Sequence, residues 1–267
     1  MNEPLKLLAI FAHPDDESLG AGSTLAKYAA EGVEVHLICA TKGERGWTGS
    51  EKDNPGLQEL GNLREKELHA AAQALGIEHV YFLDYVDGDL DQAPHMEAID
   101  KIAGLIREIR PQVVLSFGPD GIYGHPDHIA ISQFSQAACI RAVDSAFTNA
   151  HLPHAVSKFY YMVIEKELAV NYAKVFGDIR MNIDGVDRTV SVWEDWAVTT
   201  TIDGSKYWQT ALEAVNCHQT QVAIYGDLNT LSEERSIQLW GKRTYFRVFS
   251  FVNGGRKHET DLFEGLR

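Results

Sequence analysis

The sequence predicts an α/β protein: a single Rossmann-like domain over residues 1–267, with a mostly parallel central sheet and helices on both faces. Short apolar runs at Lys6–Phe11, Val33–Ala40, His79–Leu83 and Val113–Phe117 read as buried strands. Helical patterns separate them, and strands that alternate with helices pair in parallel through right-handed crossovers. The 267 residues are 45% hydrophobic, enough for one sizeable core, and no linker, repeat or low-complexity run divides them.

The first run leads into Ala12-His13-Pro14-Asp15-Asp16-Glu17, and a helix is expected over Ser23–Ala30 with Leu25, Tyr28 and Ala29 on one face. His13, Asp15, Asp16 and Glu17 are therefore expected on the loop at the carboxyl end of the first strand, where open α/β sheets bind ligands. Pro14 keeps His13 extended. His13 and Asp16, three positions apart, suit one zinc ion, with Asp15 between them free for proton transfer. Acids also suit the positive end of a helix, but that accounts for neither His13 nor Pro14.

Gly32 turns the chain into the second strand, where His36 reads as a strand residue. Residues 41–60 form a long loop rich in glycine, and long ordered loops tend to be functional. Arg45 and Trp47 make it a candidate wall or lid, and Glu44 a candidate acceptor for sugar hydroxyls; a solvated excursion is the alternative. A second helix is expected over Asn62–Leu75, carrying Leu63, Ala70, Ala71 and Leu75 and stopped by Gly76. The acidic run Asp84–Asp91 has Asp87, Asp89 and Asp91 at calcium-loop spacing, yet Gln92 and Ala98 replace the required glycine and glutamate. Asp87-Gly88 is then a turn. A third helix over Met96–Ile109 turns Ile99, Ile102, Ala103 and Ile106 inward and ends at Pro111.

After the fourth strand come Gly118–Gly124 and His125-Pro126-Asp127-His128, then a helix over Ile129–Val143. With the first and fourth strands neighbours at a switch point, both loops leave the same edge. His13, Asp16 and one of His125 and His128 can then converge. Three protein ligands and an open position are how catalytic zinc is held.

Further on, the patterns predict a strand at Lys158–Ile164, two more at Thr189–Trp193 and Trp196–Ile202 in a hairpin, and a helix over Ser205–Cys217 capped by Asp203. A helix over Leu231–Trp240 and a strand over Tyr245–Phe251 follow. His218 either caps a helix end or reaches the site, and stays outside the catalytic set. His69, His79, His95, His151, His154 and His258 read as ordinary histidines.

The net charge of −14 argues against a nucleic-acid partner or an anionic membrane surface. No run has the length of a membrane span and no signal pattern opens the chain. Cys39, Cys139 and Cys217 are odd in number and widely spaced, as in a reducing cytoplasm. A homo-oligomer stays open.

The motifs at 12–17 and 125–128 resemble the PIG-L/LmbE-like zinc-dependent N-deacetylases. Fainter echoes are Thr41-Lys42-Gly43-Glu44, Arg64-Glu65-Lys66-Glu67, Leu75-Gly76, Asp87-Gly88 and His218-Gln219-Thr220-Gln221, while residues 222–267 match poorly. The resemblance implies an LmbE-like fold and one zinc ion per chain on His13, Asp16 and His128, with Fe2+ an alternative. Asp15 would be the general base, with His125 and Tyr123 the donors to the oxyanion and His125 a proton source for the amine. Asp127 could orient His125 and favour its charged form. Arg64 matches the family arginine that holds substrate, and its plain alternative is a solvated pair with Glu67. The implied reaction removes acetyl from an N-acetylglucosamine-type small molecule. In the branch that cleaves thiol–sugar conjugates a lysine stands where this chain has Gly20, which weakens that alternative. A catalytically silent sugar- or metal-binding protein would need neither Asp15 nor His125, and a phosphoesterase ordinarily holds two metals.

Overall fold

In a computed structural model, residues 4–177, 180–183, 185–223, 226, 228–255 and 257–267 are described. Strands β1 (Lys6–Phe11), β2 (Glu34–Thr41), β3 (His79–Tyr85), β4 (Val113–Phe117) and β5 (Lys158–Val163) pair in parallel in the order β3-β2-β1-β4-β5. β1 is central because every residue from Leu7 to Phe11 is apolar and buried, as a strand covered on both faces must be. The connections α1 (Asp16–Ala30) and α2 (Leu57–Leu75) carry the chain outward to β3. The next, α3 (His95–Ile109), returns it to β4 on the other side of β1. The expected switch point therefore lies between β1 and β4.

A helical turn, α4 (Gly121–Gly124), broken at Ile122 (φ 67), precedes α5 (Pro126–Val143). α6 (Lys166–Phe176) and a small hairpin, β6 (Arg180–Ile183) with β7 (Val186–Thr189), follow β5. After β8 (Thr200–Asp203) come α7 (Trp208–Cys217), α8 (Gln219–Val222), α9 (Glu233–Trp240) and β9 (Lys242–Ser250). β9 inserts antiparallel between β5 and β8, completing a seven-stranded sheet. α3 packs on α5, while α1, α2 and α7 pack together, so helices flank the sheet. No helix among the described residues is long and apolar enough to cross a membrane.

Several expectations are corrected. The first helix begins at Asp16, not Ser23, so Asp16 and Glu17 stand in its first turn rather than on the loop. Its glycines serve close packing: a Cβ on Gly22 would lie 3.2 Å from the Ala211 Cβ of α7. The second helix begins at Leu57, and its buried face uses Leu60 and Leu68 while Ala70 is exposed. The predicted hairpin of Thr189–Trp193 with Trp196–Ile202 does not form. The hairpin lies earlier, at β6–β7; Trp193 makes an isolated bridge to Glu165, and Trp196 sits exposed in a 3-10 turn. α6 had no counterpart in the sequence reading.

The poorly matched tail is anchored by one buried carboxylate. Glu259 is fully buried and accepts from Lys158 Nζ (2.7 Å), the Tyr160 hydroxyl (2.6 Å), Thr200 Oγ1 (3.1 Å) and Asn253 Nδ2 (2.6 Å). Arg247 Nη1 pairs with it at 2.8 Å.

Candidate active site

β1 and β4 end side by side, and the segments leaving them bring together the side chains that the two motifs nominated. His13 follows β1, Asp16 stands in the first turn of α1, and His128 stands in the first turn of α5. His13 Nδ1 lies 3.1 Å from His128 Nε2 and 3.6 Å from Asp16 Oδ2, and His128 Nε2 lies 3.4 Å from Asp16 Oδ1. A tetrahedral cation with bonds of about 2.0–2.2 Å holds its donors about 3.3–3.6 Å apart. The triangle of these three residues has spacings close to that range, each imidazole nitrogen facing a different oxygen of Asp16.

Two other groupings share His13, one with His125 and His128, the other with Asp87 and Asp127. Hydrogen bonding disfavours the second of these. Asp87 Oδ1 and Asp127 Oδ2 both face the far nitrogen of His13, Nε2, at 3.1 Å. Asp127 also accepts from the backbone N–H of Gly88 (2.7 Å) and Leu90 (3.1 Å). His125 Nδ1 accepts from the Asp127 N–H at 3.1 Å. Asp87 and Asp127 thus orient His13 with Nδ1 toward the other donors, the usual support for a metal-binding histidine. This corrects the expectation that the Asp127 carboxylate orients His125; the carboxylate is taken up by His13 and the backbone N–H groups of Gly88 and Leu90.

The charges agree with this division. Burial would lower the His13 imidazole, but its bonds to Asp127 and Asp87 and the charge of Asp16 outweigh it and raise it to about 10. A cation bound at Nδ1 must therefore displace a proton. Burial, with His13 and His125 nearby, holds His128 well below its usual value, so it is neutral. Burial also pushes the Asp16 carboxyl up to about 7. Asp87→Ala is expected to weaken divalent-cation binding about ten- to a hundredfold, read by competition with a chromogenic chelator; equal affinity in the variant would remove Asp87 from this role.

Asp15 stands apart from the triangle. It occupies the cap position of α1 with a left-handed φ of 113°, a conformation costly to most side chains. Its carbonyl accepts from Ser18 N (3.1 Å) and Leu19 N (2.9 Å), and its N–H donates to Glu17 Oε2 (3.1 Å). Arg64 Nη2 lies 3.3 Å from its carboxylate. Burial is the largest influence on that carboxyl and raises it, against the pull of Arg64 and His218.

Arg64 is buried, neither the solvated partner of Glu67 nor a side chain open to solvent. Its guanidinium donates to the carbonyls of Gly43 (2.8 Å) and Pro14. Gly43 (φ 64) and Gly46 leave the space it fills, since a Cβ at either would run into it. Glu44 is half-buried; Oε1 accepts from Asp87 N (3.3 Å) and Oε2 is buried with no hydrogen-bond partner. The 41–60 loop is fastened rather than free: Arg45 makes two bonds to Asp89 (2.7 and 2.6 Å), Thr48 bonds the Thr220 carbonyl (2.8 Å), and Gln221 bonds that of Gly46 (2.8 Å). Tyr123 packs edge-on against His125 and His128, ring centroids 5.9 and 5.2 Å away.

Three side chains at the site were not nominated. Asp87 reads in the sequence as part of a turn whose counterpart in the family lies near the pocket rim, with no role of its own. Glu17, inside the first motif, is buried and accepts from His218 Nε2 at 2.8 Å. Burial raises Glu17 and lowers His218, but their mutual attraction prevails and leaves the first lowered and the second raised. His218 thus reaches the site through Glu17.

The family profile of PIG-L, GlcNAc-PI de-N-acetylase, matches residues 8–139, which hold both motifs. The chain is 34% identical, over 98% of its length and 97% of the relative's, to the 1D-myo-inositol 2-acetamido-2-deoxy-alpha-D-glucopyranoside deacetylase of Streptomyces avermitilis. The chain belongs to the PIG-L family. Solved structures extend the likeness of this PIG-L protein in fold. GalB, the 4-carboxy-2-hydroxymuconate hydratase of Pseudomonas putida KT2440, superposes with a TM-score of 0.68 at 19% identity, covering 94% of this chain and 99% of that one. The N,N'-diacetylchitobiose deacetylase of Pyrococcus horikoshii does so at 0.65 and 19%, covering 92% and 84%. A hydratase and a deacetylase on one PIG-L-like architecture mean that the reaction must be argued from the site.

Proposed function

We propose that the protein is a zinc-dependent N-deacetylase acting on a small molecule that contains N-acetylglucosamine, giving acetate and a free amine. One observation carries the reading: His13 Nδ1 and His128 Nε2 lie 3.1 Å apart, each within 3.6 Å of an oxygen of the Asp16 carboxylate, while Asp15 stays outside the set. The curated Streptomyces relative is named for the same class of substrate. The bound cation, zinc by its two-nitrogen, one-oxygen donor set with Fe2+ the alternative, supplies polarisation of the amide carbonyl and acidification of water.

The chain's own groups do the rest. Asp15 accepts a proton from the attacking water, and the upward push of burial makes it a stronger base than a solvated aspartate. Arg64, buried beneath Asp15, fixes its orientation instead of gripping substrate. His125 accepts a backbone N–H at Nδ1, so its ring proton sits on Nε2 and is available to the carbonyl oxygen. The Tyr123 hydroxyl is the second donor to that oxygen. As the C–N bond breaks, Asp15 or His125 delivers a proton to the amine. Glu44, half-buried beside Asp87, is the acceptor we assign to a sugar hydroxyl. The buried free thiols of Cys39 and Cys139 suit a cytoplasmic protein.

The test is acetate release from N-acetylglucosaminyl-inositol, N,N'-diacetylchitobiose and N-acetylglucosamine, before and after chelation and with zinc restored. Release that a chelator stops and zinc restores is expected. Hydrolysis that survives complete metal removal would overturn the reading.

A further inference from the structure

An apolar cavity of about 180 Å³ opens directly onto the donor triangle. Asp16 and His128 form one end of it. Leu19, Phe117, Met162, Leu168, Phe176 and Trp240 supply much of the remaining wall. Arg243 also borders it, but its guanidinium is spent on the carbonyls of Leu19, Gly20, Leu239 and Lys242. Glu44, Arg64, Asp15 and Asp87 do not line it. The polar side chains around Asp15 and the apolar chamber therefore lie in different places around the same three residues.

An N-acyl amino sugar is divided in the same way, with hydroxyls on the amine side of the amide and hydrocarbon on the acyl side. An acetyl group would leave most of this chamber empty. Apolar cavities of about 150 Å³ accept guests of about six carbons. Resting on the deacetylase reading above, we propose that the chamber receives the acyl arm. The favoured substrates are then amino sugars bearing linear N-acyl chains of about four to six carbons. Hydrolysis is balanced as for acetyl: water's oxygen joins the acyl carbon, the C–N bond breaks, and the proton from water goes to the amine.

Two details of the chain keep the chamber open. A Cβ on Gly20 would collide with the Met162 side chain, so glycine there lets Met162 lie against α1. The far wall comes from α6, through Leu168 and Phe176, and from Met181 of the β6–β7 hairpin.

The experiment compares kcat/KM for N-acetyl-, N-butanoyl-, N-hexanoyl- and N-decanoylglucosamine on the zinc-loaded protein. A buried methylene is worth about three- to fourfold, so a rise of at least about tenfold from acetyl to hexanoyl is expected, with a fall at decanoyl. Leu168→Phe, which fills part of the far wall, should move the optimum to a shorter chain. An unchanged urea unfolding midpoint reports that the variant is folded. Cleavage of acetyl with butanoyl and hexanoyl poorer would overturn this proposal alone. Failure to cleave any chain length would overturn the deacetylase reading with it.

Discussion

Asp15→Asn lowers kcat by about 10²–10⁴-fold and leaves the metal content unchanged. The first half follows from chemistry: an amide cannot take up the proton that the attacking water loses. The second follows from geometry, because Asp15 lies outside the donor triangle and beside Arg64. Asparagine is the right replacement because Asp15 holds a positive φ of 113°, which asparagine tolerates better than most side chains. Bound zinc by mass spectrometry, together with single-turnover rates, checks both halves. A variant of full activity would leave the base elsewhere; one that loses its metal would make Asp15 a ligand.

Glu259→Ala destabilises the fold by about 3–5 kcal/mol, the usual result of stripping one partner from a buried ion pair. The loss is large because Lys158 has no exposed surface and would keep its charge with no carboxylate beside it. Burial opposes ionisation of Glu259, but its bonds from Lys158, Tyr160 and Asn253 prevail and hold the carboxyl below its usual value. A carboxyl depressed in the folded state stabilises above its unfolded pKa, and that stability drains away as pH falls through the lower folded value. Urea unfolding at neutral pH measures the first effect. Glu259→Gln should flatten the acid limb of stability against pH, and a loss below about 1 kcal/mol for the alanine variant would contradict the network.

The amino-terminal half of the fold was legible because β1 and β4 are buried on both faces and read as near-continuous apolar runs. β1 and β4 matched their predicted limits for that reason. α6 was missed although Leu168, Tyr172, Val175 and Phe176 carry helical spacing. It follows β5 with almost no turn, and Glu165 at its cap makes no side-chain cap bond. Thr189–Trp193 alternates like a strand, but Trp193 is placed by its ring against Phe246 and its N–H on Asp120, not by a ladder.

Within the site, the motif histidines and acids could be nominated from spacing alone. Their supports could not, since Asp127 is adjacent to His128 in sequence yet serves His13 across the sheet. Neighbouring positions on a helix point in different directions. Arg64 was expected to hold substrate, but two glycines let it sink beneath the loop, a depth that only three-dimensional packing reveals.

The interior place of β9 has a bearing on how the polypeptide is made. While the ribosome is still working, β5 is the last strand placed in the main sheet, and β8 emerges with no strand of that sheet to pair with. Until β9 arrives, the nascent molecule displays an unprotected strand margin, the kind that recruits other chains. Its period of greatest exposure to misassembly therefore lies between the emergence of β5 and that of β9.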